Sequence, residues 1–134
     1  VSTNNDIANA FKALLATFAT SQSVTVAWPG VPFNPPETGS WLEMAWFPNE
    51  TVNLSLGNDG SQYRGFGQVS CCCRPGAGDG VALALADAVI DAFPKGTALG
   101  IAKVERKPWA STVLYAPDRL SVPVTVRYQG SVSA

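Results

Sequence analysis

The sequence predicts an α+β fold: one mainly antiparallel sheet with two helices packed on one face, in the order α-β-β-β-α-β-β. Two observations carry this. Apolar residues recur at helical spacing in two segments only, near residues 3–18 and 79–93. Between and after them lie segments where apolar and polar residues alternate, bounded by glycine and proline. The 134 residues fit one domain spanning 1–134, long enough to bury a real core.

Each element has its own signal. Thr3 with Asp6 resembles a helix-opening pair, and Ile7, Phe11, Leu14, Leu15 and Phe18 then form one apolar stripe opposite Asn9, Lys12 and Thr17. Val24, Val26 and Trp28 alternate as a first strand, stopped by Pro29-Gly30, and the proline-rich PGVPFNPPETG follows. The second strand, Ser40 to Phe47, places Leu42, Met44 and Trp46 on one side and Trp41, Glu43, Ala45 and Phe47 on the other. With large apolar groups on both, it is expected to be covered on both faces. The third strand, Tyr63 to Cys73, carries Gly65 and Gly67 on the face of Val69, which points to a bulge or to a close approach of another backbone.

The second helix, Asp79 to Phe93, is apolar nearly all round and leaves only a narrow stripe at Asp87 and Asp91. Such a helix is sandwiched in the fold or half-buried at an interface. A strand is expected from Ala98 to Arg106, then the irregular PWASTVLYAPD, then a last strand in which Leu120, Val122, Val124, Val126 and Tyr128 alternate with polar positions. Pro123 donates no ladder hydrogen bond, so this strand is expected at an edge or with a bulge.

Composition favours burial against partners. Charged residues are 14% of the chain, against about 25% in soluble proteins. A surface this poor in charge is better covered than bare. Nine basic and ten acidic residues stand singly, and no basic run exists to grip phosphate backbones. Lys103, Arg106 and Lys107 are the densest basic feature and read as a solvated strand edge. No window approaches the 18 or so apolar residues of a membrane span, and the opening VSTNND does not read as a leader, so no membrane is expected and the chain is expected to be cytosolic in origin.

Catalytic, cofactor and metal sites are not expected. There is no histidine, and the carboxylates stand alone or beside turns. Cys71, Cys72 and Cys73 fall on alternate faces of a strand, so a single metal does not easily collect all three, and they read as small, buried, reduced packing residues. RPGAGDG lacks the Lys-Ser/Thr of a phosphate loop and the G-x-G-x-x-G spacing of a dinucleotide site. Glu43 shares a face with Trp41, Ala45 and Phe47 and reads as a partnered interface glutamate rather than a general acid. A small enzyme, or a ligand-binding module built on Trp28, Phe33, Trp41 and Trp46, remain the alternatives from other functional classes.

The succession WLEMAWFPNET, LGNDG, RGFGQV, PGAGDG, ALADAVIDAF and KGT resembles the small phage proteins of the family DUF4128, a family similar to the tail terminators of long, non-contractile tailed phages. The likeness covers Trp41 to Thr97 best and extends weakly through Ser121 to Tyr128. It implies a tail-terminator-like fold and a structural virion protein: a hexameric ring that caps the tail tube, stops its polymerisation and meets the head-tail connector. Genome DNA then passes the lumen without specific binding, and assembly takes place in the host bacterial cytoplasm. A head completion protein or a tail tube subunit is the alternative within viruses. The resemblance brings no catalytic residue and no cofactor.

On that reading the long loop from Pro48 to Gln62 is expected to recognise the tube. Val52, Leu54 and Leu56 alternate in it, with residues 57–60 as the tip of a hairpin extension. Tube or subunit contacts are expected from Glu50, Val52, Leu54, Leu56, Asp59, Tyr63, Arg64, Asp87 and Asp91, the acidic members also being candidates for the lumen.

Overall fold

The computed structural model describes residues 3–35, 39–48, 52–53, 61–76, 80–100 and 102–132. Helix α1 (Thr3–Gln22) buries Ile7, Ala8, Phe11, Leu15, Phe18 and Ala19. At 100° per residue these span an arc that leaves Leu14 at its margin, 36% exposed. The small Ala8 and Ala19 close the stripe instead. Ser23, with φ of 57°, ends the helix; its N–H bonds Thr20 O at 3.2 Å and the Val24 N–H bonds Ala19 O at 3.0 Å, a Schellman turn that delivers the chain into the sheet.

Strands β1 (Thr25–Ala27), β2 (Ser40–Pro48), β3 (Val52–Asn53) and β4 (Ser61–Cys73) precede helix α2 (Gly80–Ala92). Strands β5 (Ala98–Leu99), β6 (Ala102–Val104), β7 (Trp109–Ala110), β8 (Leu114–Tyr115) and β9 (Leu120–Val132) follow it. The sheet runs β1-β2-β4-β9-β6-β5, with β3 against β4 and with β7 and β8 against β9. Among the described residues only β1 and β2 pair in parallel; the other pairs are antiparallel.

Both helices lie on one face of the sheet. Leu42, Met44, Val69, Cys71, Cys73, Leu120, Val122, Val124, Val126 and Tyr128 point at them, and alternate residues point away, because successive side chains of a strand take opposite faces. The second helix buries Ala82, Leu85, Ala86 and Val89 and leaves Val81 and Leu83 50% and 40% exposed beside Asp87 and Asp91.

Three local expectations change. The strand expected over 98–106 is the hairpin β5–β6 followed by a short extension: Gly100, with φ of 64°, turns the chain so that Leu99 faces Ala102. Gly65 and Gly67 mark no bulge, since β4 keeps continuous register with β2 and β9 across both. Gly65 admits another backbone, as a Cβ there would lie 2.5 Å from Phe47 O, whereas Gly67 admits a side chain, with Phe11 Cζ 2.9 Å from its would-be Cβ.

Pro123, expected at an edge or a bulge, sits in the central strand β9 in unbroken register with Ser70. Its carbonyl accepts the Ser111 N–H at 2.8 Å. In an antiparallel strand the N and C=O of one residue face the same side, so the missing donor faces the side held by the short pieces β7 and β8. There the pairing stops at Ala110 opposite Val124 and resumes at Leu114 opposite Ser121. The proline interrupts the partner rather than its own strand.

Candidate functional site

The face of the sheet turned away from the helices can be mapped from the registers, because residues directly opposite one another share a face. Arg64, Gln129 and Lys103 form one row across β4, β9 and β6. Phe47, Phe66 and Arg127 form the next. Ala45, Gln68, Thr125 and Trp109 form the third. Trp41, Cys72, Ser121 and Leu114 lie at the far end. Phe47 and Phe66 stack at 4.9 Å, the Arg106 guanidinium lies 5.3 Å from the Trp109 ring, and Arg127 pairs with Glu105 at 3.7 Å. Phe66, Gln68, Trp109, Thr125 and Arg127 line a shallow open depression.

Arg64, Lys103, Arg106 and Arg127 are four of the nine basic residues, and they meet on or beside this face although Arg64, the 103–107 stretch and Arg127 lie far apart in the chain. Register, not sequence proximity, assembles them. The basic edge expected at Lys103 and Arg106 is therefore the margin of an aromatic and basic surface.

At the other end of this face Trp41 is fully buried. The Arg74 and Arg119 guanidinium carbons lie 5.1 Å and 5.4 Å from its ring, and its Nε1 donates to Glu43 Oε2 at 2.9 Å. Arg119 also pairs with Glu43, and with Asp118 at 3.5 Å. Arg74 donates to Asp118 O at 3.1 Å and to Pro35 O at 3.5 Å. Burial opposes the charge on Arg119, but the Glu43 and Asp118 carboxylates outweigh it and hold the guanidinium above its usual value. Glu43, expected to meet a partner at an interface, is thus partnered within the chain. Arginines from β4's end and β9's start thus cover the Trp41 end of this side of β2, whereas Phe47 at its other end is exposed.

The cysteines take the faces the alternation predicts, Cys71 and Cys73 toward the helices and Cys72 away from them. All are free and buried. Burial, reinforced by Cys72, pushes the Cys71 thiol up to about 12; burial and then the Glu43 charge push Cys72 up to about 12. Thiols so held are inert at neutral pH. Among the described residues no group of three or more His, Cys, Asp or Glu is placed to hold a metal, and no helix is long and apolar enough to cross a membrane.

Of the expected contact residues, Glu50, Leu54, Leu56 and Asp59 lie outside the described residues. Val52 is placed in β3, opposite Gln62. Tyr63 is half-buried against the core and opposite Gly130, whereas Arg64 is exposed on the opposite face of the same strand. Asp87 and Asp91 are exposed on the other side of the molecule, on α2. The described members therefore divide between β3, the core side of β4, the bare sheet face and the helix layer. Phe47, Phe66 and Trp109 were not among the expected contacts; alternation in β2 and β4 could have placed the first two together, but Trp109 needed the long-range register of β7.

A family model described as phage tail terminator protein matches residues 6–128. A solved structure whose name states no function is similar to the chain over 97% of its length and 96% of that chain's, with a TM-score of 0.81 at 25% identity. No curated protein sequence matches. With two helices on one face of a mostly antiparallel sheet and the family match running through both helices and all the central strands, the chain belongs to the phage tail terminator family and is a structural protein of the phage tail.

Proposed function

We propose that copies of this chain form a closed ring that caps the tail tube, stops its polymerisation and offers its other side to the head-tail connector. The ring is homo-hexameric, is assembled in the host bacterial cytoplasm, and lets genome DNA pass without specific binding. Family membership supports the tail role. The observation that carries the tube contact is the arm formed by β3, β4 and β9.

Strands β4 and β9 pair over their full 13 residues each, from Cys73 opposite Leu120 to Ser61 opposite Val132. Among the described side chains of β9 the last buried one is Tyr128, and the strand pairing continues to Val132. There Val52 and Asn53 add to the other side of β4, opposite Gln62 and Ser61. The register shifts by one residue between β2 and β3: Pro48 faces Gly65, but Val52 faces Gln62. A long strand pair with a further backbone-paired segment at its end is suited to adding to a strand of a neighbouring tube subunit. Glu50, Val52, Leu54, Leu56, Asp59 and Tyr63 are then its contact residues.

Exchange of residues 51–60 for a short glycine-serine linker tests the reading. The far-ultraviolet circular dichroism of the domain is expected to persist, while tails grow to uncontrolled lengths. Normal tail length and infectivity with a folded variant would remove tube recognition from the arm.

A further inference from the structure

We propose that the bare face of the sheet receives helix α2 of a second copy of this chain, so that neighbours join through unlike faces. This rests on the ring reading above and names its subunit contact. The two surfaces lie on opposite layers of the molecule. On α2, at 100° per residue, Leu83, Asp87, Asp91, Ala84 and Val81 succeed one another around an exposed arc of about 160°. Two acids stand at its centre, with alanine beside them and an exposed aliphatic side chain on each flank.

The sheet face is the counterpart in both properties. Phe47 and Trp109 are 42% and 39% exposed and border, with Phe66, the depression lined by Gln68, Thr125 and Arg127. Arg64, Lys103 and Arg106 stand around it. An acidic ridge flanked by aliphatic groups thus meets a basic, aromatic-floored surface, and charge complementarity of this kind selects partner and orientation. The buried side of the same helix already packs on β4 and β9. Docking its exposed side on the next copy's sheet leaves each sheet between two helix layers and covers the apolar groups that a chain with 14% charged residues leaves bare.

The occupant is a second copy because both halves of the complementarity occur on one chain. A contact between unlike faces leaves one face of each kind unsatisfied at the ends of any open string, and only closure removes them. The contact places Asp87 and Asp91 between subunits rather than along the lumen.

Charge exchange tests this in purified protein, by sedimentation over a concentration series, and on assembled tails. The pair Asp87→Arg and Asp91→Arg, and separately the pair Arg64→Glu and Arg127→Glu, are each expected to weaken self-association about tenfold or more. A chain carrying all four changes, or a mixture of the two double variants, is expected to recover it. In parallel, a Leu83→Cys chain oxidised together with a Gln68→Cys chain is expected to give a mixed disulfide, the native thiols being buried. Recovery in the fourfold variant together with the mixed disulfide would establish the contact. Rings that persist in both double variants would overturn this contact and leave the ring reading standing. A Leu83→Cys chain that couples only to itself would overturn the contact, and wild-type protein that forms no ring even on tails would end both. Salt-dependent binding of a DNA duplex that is lost in Arg64→Glu, Arg127→Glu while rings remain would give the sheet face to nucleic acid instead.

Discussion

Phe11 and Gly67 fit ring into gap: a Cβ on Gly67 would lie 2.9 Å from Phe11 Cζ, with the ring edge at 3.1 Å on either side. The ring cannot withdraw, because it stacks on Phe93 at 4.9 Å and leans on Trp46 at 5.4 Å. Gly67→Ala is therefore expected to lower stability by about 1–3 kcal/mol despite the better strand propensity of alanine. Phe11→Ala is expected to lose about 3–5 kcal/mol. The two losses should not add, since the truncated ring leaves room for the new methyl. Urea unfolding of the two single variants and the double variant measures this, and strict additivity would sink the account.

Glu43 holds two groups at once, the Trp41 indole N–H and the Arg119 guanidinium. The side chains of the ion pair are 28% and 34% exposed, so solvent screens the pair and limits its charge term to roughly 0–1 kcal/mol. Glu43→Gln keeps an acceptor for the indole and should lose no more than that. Glu43→Leu removes the acceptor as well and is expected to lose about 1–3 kcal/mol. Chemical denaturation separates the two, and equal losses would mean that the indole bond contributes nothing.

The raised thiols set a direction for alkaline pH. Folded Cys71 and Cys72 hold their protons up to about 12, whereas the unfolded thiols release theirs near 9.0. Between those values the unfolded chain binds fewer protons than the folded one, so stability is intact below the unfolded value and falls as pH rises toward the folded one. The slope is about 1.4 kcal/mol per pH unit per thiol. Cys72→Ala should flatten the fall between about pH 9 and about pH 10.5 by roughly one such increment, read from urea midpoints. The same slope in wild type and variant would contradict it, and so would rapid reaction of the folded protein with a thiol reagent at neutral pH.

What was legible in the sequence follows from how local the deciding physics is. Helices α1 and α2 and strands β2, β4 and β9 each carry their own periodicity, so their place and faces could be read directly. A stripe drawn through large residues passes over Leu14, whereas the residues buried at the other margin are the small Ala8 and Ala19. Strands β5 to β8 have two or three residues each and exist only as partners of longer strands or of each other, so nothing local announces them. Pro123 was misplaced for the same reason, since which side of β9 its missing donor faces depends on what pairs there. The candidate surface was half legible: Asp87 and Asp91 stand out on an apolar helix, whereas the gathering of Arg64, Lys103, Arg106 and Arg127 needs three strands in register.

The ends of the sheet bear on how such a protein is allowed to multiply contacts. The path begins with β1, three residues long, and ends with β5, two residues long. Neither rim strand itself offers enough free backbone to seed the growth of another sheet alongside it, and short rims are a recognised safeguard against runaway edge pairing. For a structural protein of the phage tail, this keeps copies from lengthening one another's sheets through these two strands and leaves recognition there to side chains, which can be told apart.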